Sequence, residues 1–63
     1  MSNIPREKVI DGAKFMWDGR VYESQRSAGA ARLEYGQDNY ESRLVPFGDR
    51  VLVYLRRRVE QIG

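Results

Sequence analysis

The chain has 63 residues, eleven Lys and Arg against nine Asp and Glu, no Cys and no His, for a formal charge of +2. Without Cys or His there can be no disulfide, no Cys/His zinc site, no thiol nucleophile, no Ser-His-Asp triad and no His-ligated haem. At 41% hydrophobic and 32% charged residues, the composition is that of a small folded domain with a thin core rather than a disordered segment.

We read residues 1–63 as one domain, with residues 1–4 and 60–63 as frayed ends. No stretch has the apolar centre of a secretory leader or the length of a membrane span, which leads us to expect a soluble cytoplasmic protein with no membrane partner. Nine of the eleven cations are Arg and two are Lys. Arginine offers a planar fork that suits phosphates, carboxylates and aromatic faces.

In chain order, Pro5 opens a short polar stretch closed by Gly12, the asymmetry of a short helical turn. The run Ala13–Trp17, the dipeptide Asp18-Gly19 and the run Arg20–Glu23 together predict a hairpin with a type I′ turn. In that hairpin Phe15 faces Tyr22, and Trp17 faces Arg20. Ser24 is a good N-cap for an Ala-rich helix from Gln25 to Tyr35, with Ala28, Ala31 and Tyr35 on one face. Gly36 is expected to end it in the left-handed region. Gly29, inside the helix, means either that a close backbone contact offsets its cost against Ala or that the helix is marginal there.

Gln37–Asn39 reads as a loop, Tyr40–Phe47 as a strand, Gly48-Asp49 as a two-residue turn and Arg50–Val59 as a final strand. The expected fold is α+β: a small antiparallel sheet of two hairpins in β-β-α-β-β order, with one helix packed on one face. Its core should comprise Phe15, Tyr22, Ala28, Ala31, Tyr35, Leu44, Val51, Val53 and Leu55.

Alternation along the second hairpin pairs Phe47 with Arg50, Val45 with Leu52 and Arg43 with Tyr54. One face then carries Leu44, Pro46, Val51, Val53 and Leu55, a floor for the helix. The other carries Arg43, Val45, Phe47, Arg50, Leu52, Tyr54, Arg56 and Arg58. One short helix cannot cover both faces, so the second is expected to stand open. It could be simply solvated, with Arg stems over aromatic rings. It could pair with another protein, a second copy included. It could also stack the bases of single-stranded RNA or DNA on Phe47 and Tyr54, with arginines on the phosphates. Trp17 is either a binding anchor or the end of the core, with Arg20 over its ring.

Catalytic chemistry finds little to work with. General acid–base catalysis would fall to Asp, Glu, Lys or Tyr, and no carboxylate pair has the spacing of a dyad. Asp38–Glu41 lacks the calcium-loop spacing, and no phosphate-binding glycine loop is present. We therefore expect a non-enzymatic binding module with no cofactor. Its candidate binding residues are Arg43, Phe47, Arg50, Tyr54, Arg56 and Arg58. A protein partner, including a homodimer, stands ahead of single-stranded nucleic acid.

Overall fold

The computed structural model describes residues 3–58. Strands β1 (Glu7–Ile10), β2 (Ala13–Tyr22), β3 (Tyr40–Phe47) and β4 (Arg50–Arg57), with helix α1 (Gln25–Gln37), follow the β-β-α-β-β order. The strands form one antiparallel sheet in the order β1-β2-β4-β3. Helix α1 packs on one of its faces, as an α+β fold requires. The expected ends at residues 1–2 and 60–63, and Val59 as a strand residue, lie outside the described residues.

The first hairpin sits earlier than expected. Residues 7–10 are a strand and not a helical turn. The turn uses Asp11-Gly12, with φ of 52° and 78°. Both central residues are left-handed, as a type I′ turn requires. Asp18-Gly19 is instead a bulge inside β2. Between the pairs Trp17↔Tyr54 and Val21↔Leu52, β2 advances four residues while β4 advances two. Gly19 takes φ 88° there. Such a bulge bends and twists the strand. It lets the long β2 bridge β1 on one side and β4 on the other. Phe15 and Tyr22 consequently point to opposite faces instead of pairing.

The second hairpin has the expected register, Arg43↔Tyr54, Val45↔Leu52 and Phe47↔Arg50. Its turn places Gly48 at φ 61°, the position where a two-residue turn with one left-handed residue demands glycine. Ser24 caps α1 as expected: its Oγ accepts from the Ser27 amide, and Ser27 Oγ accepts in return from the Ser24 amide. The helix runs past Gly36 to Gln37, and the left-handed residue is Asn39, at φ 68°. A Cβ added at Gly29 would meet nothing within 4 Å, so no close backbone contact accounts for that glycine.

Each face of the sheet has its own small core. On the helix side Ala28, Val51 and Val53 are buried, with Tyr22, Tyr35, Leu44 and Leu55 packed around them. On the other side Phe15, Leu52 and Tyr54 are buried, with Ile4, Ile10, Trp17, Val45 and Phe47 around them. The expected core holds on the helix side except for Ala31, which is only half-buried and outside the cluster; it lacks Leu52 and Tyr54, and it placed Phe15 with the wrong neighbours. Ile4, expected in a frayed end, packs against this second core.

Asp18 ties the elements together. Its Oδ2 accepts from Tyr22 Oη at 2.7 Å and from Tyr35 Oη at 3.1 Å, and its Oδ1 accepts from the Arg20 amide at 2.9 Å. Bulge, strand and helix therefore meet at one carboxylate. Burial first, then the hydrogen bond to Asp18 and its charge, pushes both tyrosine hydroxyls above the ordinary value of 10.0.

Replacing Asp18 by Ala leaves two part-buried hydroxyls without their acceptor. We expect a loss of about 1–3 kcal/mol in urea unfolding; a loss within error of zero contradicts the role given to Asp18. A group whose pKa rises on folding stabilises the fold below its unfolded pKa and stops doing so as pH climbs through the folded one. Thermal midpoints should therefore fall as pH rises beyond about 10, the ordinary tyrosine value. The fall should be shallower in Tyr22→Phe, and identical profiles for the two proteins contradict the assignment.

Candidate functional site

Five of the six candidate residues share the face away from the helix: Arg43 stands opposite Tyr54, Phe47 opposite Arg50, and Arg56 opposite Glu41. The face is not open at its centre. Tyr54 is 1% exposed and Leu52 2%. Tyr54 Oη donates to the Pro5 carbonyl at 2.6 Å, and burial raises its pKa. Phe47 packs on the same cluster. Tyr54 is therefore core and cannot serve as a stacking platform in this conformation.

The covering comes from the part of the chain that was expected to be a helical turn. As β1 pairs with β2, the Trp17 amide bonds the Arg6 carbonyl at 2.8 Å. The preceding residues are thereby drawn over Tyr54.

The arginines on this face are mostly engaged. The Arg43 guanidinium lies 5.4 Å from the Phe15 ring centroid and bonds Glu41 at 3.1 Å. Arg56 reaches the other Glu41 oxygen at 3.5 Å, and Arg50 lies 3.8 Å from Asp49. Such partly exposed pairs contribute about 1 kcal/mol or less each. Arg58 follows β4, its amide bonded to the Asn39 carbonyl at 3.1 Å, and its side chain is exposed. Trp17 is half-buried against the second core. Its Nε1–H donates to the Arg20 carbonyl at 2.9 Å, so Trp17 meets the Arg20 backbone.

Two surface features were not visible in the sequence. One is a cleft of about 370 Å³ between α1 and β3, whose walls include Gly29, Arg32, Gly36, Tyr40 and Arg58. The other is a groove of about 440 Å³ on the helix side, where Met16, Tyr35, Tyr40, Leu55 and Arg57 meet. Tyr40 belongs to both, and its ring stands edge-on to Tyr35 with centroids 6.2 Å apart. The spacing of Gly29, Arg32 and Gly36 puts them on one helical stripe. Nothing in the sequence said that this stripe borders empty space.

Beside the groove, the helix-side face is bare over β1 and β2. Val9 is 71% exposed and Met16 48%. Met16 pairs directly with Leu55, and Val9 stands diagonally across from Met16. Glu7 and Lys14 flank them, 3.1 Å apart.

Among the described residues no three His, Cys, Asp or Glu side chains are grouped to hold a metal ion, and no helix is long and apolar enough to cross a membrane. No family model, curated protein or solved structure matches the chain.

Proposed function

We propose that the chain is a small non-enzymatic binding module of the cytoplasm that works by protein association, with a second copy of itself as the partner. The reading is carried by the exposed Val9 and Met16 on the helix-side face, continued by the half-buried Leu55 opposite Met16. It replaces the opposite face, whose centre is filled by the chain's own Tyr54 and Leu52.

Two arguments favour a second copy. A two-fold contact must be self-complementary. The patch has aliphatic side chains flanked by one acid and one base, so Glu7 of each copy can meet Lys14 of the other. The Cα radius of gyration is 12.2 Å, against about 10.6 Å for a compact chain of this length. An extended sheet with two thin cores leaves apolar area that association can remove from water. The edge strand β1 is a poorer contact. A two-fold pairing that centres on Lys8 sets like charges opposite each other, and the neighbouring registers oppose Glu7 to itself or to Asp11.

Sedimentation equilibrium over a range of concentrations should show a mass rising towards twice that of the monomer, with little dependence on salt. Burying a Met side chain is worth about 1.5–3 kcal/mol, so Met16→Glu should weaken association at least tenfold. The side chain is exposed, so the circular dichroism spectrum should be unchanged. A monomer at every concentration, or unaltered association of Met16→Glu, overturns the proposal.

A further inference from the structure

The cleft between α1 and β3 lies at the opposite edge of the sheet from the association patch and is independent of it. Three arginines line it with one carboxylate, Glu41. Glu41 is already engaged on both oxygens, by Arg43 and Arg56. Arg43 is held besides by the Phe15 ring and by the Ser42 carbonyl. That leaves Arg32 and Arg58 with positive charge and no carboxylate partner among the described residues.

Arg32 is positioned. Its Nε donates to Ser42 Oγ at 3.0 Å, and Ser42 is only 6% exposed. Anchoring at Nε leaves the two terminal nitrogens, the fork that grips a tetrahedral anion or a carboxylate. Arg58 is placed through its backbone, whose amide bonds Asn39 next to Tyr40.

The helix side of the cleft carries the exposed Leu33 and two glycines. Gly29 and Gly36 both line the cleft, and a Cβ added to either would meet nothing within 4 Å. Neither has the positive φ that would call for glycine. Each therefore gives up about 0.5–1 kcal/mol of helix stability against Ala, with no packing reason inside the chain. A ligand lying against the helix would supply one.

We propose that this cleft binds single-stranded nucleic acid, with phosphate oxygens on Arg32 and Arg58 and a base against the half-buried ring of Tyr40. Guanidinium forks would accept carboxylates too. The aromatic ring beside them decides for a strand that alternates phosphates with bases. The reading keeps Arg58 from the set expected in sequence and moves the site from the buried Tyr54 to the other side of the sheet.

Fluorescence anisotropy with a labelled oligothymidylate of about 12 nucleotides tests this. Two phosphate contacts to a single strand predict an affinity loss of roughly sevenfold between about 50 and 200 mM salt. Arg32→Gln and Arg58→Gln should each reduce the log–log salt slope by about 0.7. Gly29→Leu is the sharper probe. It should raise the thermal midpoint, because Leu is the better helix former, yet weaken binding at least tenfold by filling the cleft.

The proposal is overturned if no binding appears at low salt, or if Gly29→Leu or Arg32→Gln binds as tightly as the parent. It is also overturned if polyglutamate of equal length competes as well as unlabelled oligonucleotide, which would assign the cleft to acidic peptides. Inorganic phosphate that shifts the Gly29 amide while the oligonucleotide does not bind would reduce it to a simple anion site. None of these outcomes bears on the Met16 association assay.

Discussion

The Asp18 carboxylate accepts hydroxyls from a strand and from a helix while closing the bulge that carries it. A bulge twists a sheet but leaves its own polar groups short of partners. Here those partners are supplied locally: the Arg20 amide turns to Asp18, and the Arg20 carbonyl takes the Trp17 indole N–H. Because the bulge is stable, β2 can be ten residues long and pair with two different strands. Tyr35 then tethers α1 to the same point, which sets where the helix lies and how much of the sheet it covers.

Coverage is the central difficulty for a chain of this size. A sheet has two faces, and one helix of 13 residues shields only part of one. The chain answers with two small cores back to back. The second is roofed by Ile4 and the backbone around Pro5, with Tyr54 donating its hydroxyl to that backbone. Tyr54 suits this place because its ring is apolar and its tip needs an acceptor. The area left over is the aliphatic patch over β1 and β2 and the cleft beside β3, and both functional proposals rest on that remainder.

The second half of the fold was legible in the sequence, and the first half was ambiguous. Between Tyr40 and Arg57 the turn is short and has one candidate, Gly48-Asp49, so its position and strand parity placed the pairs. The capping role of Ser24 was equally plain from its chemistry. In the first half two Asp-Gly dipeptides lie seven residues apart, and each is a valid turn signal. The choice between them depends on long-range pairing with β4, which local pattern does not contain. Choosing the second dipeptide turned β1 into a helical turn and removed the roof over Tyr54, so the face looked open. Arg56 and Arg58 were rightly seen as exposed. Arg32 and Tyr40 were missed because a cleft is made by two elements meeting, and neither element's sequence describes the gap.

The strand order β1-β2-β4-β3 has a consequence for valency. It sets the exposed Val9 and Met16 and the arginine cleft at opposite margins of one sheet. Two copies joined at the first margin, as proposed, would carry their clefts towards the far ends of the assembly. A flexible strand engaging one cleft would then find the second at high effective concentration. Tethering of that kind raises avidity by about 10²-fold or more without any new contact. Strand length would set the gain: oligomers too short to span the pair would bind as they do to a single copy.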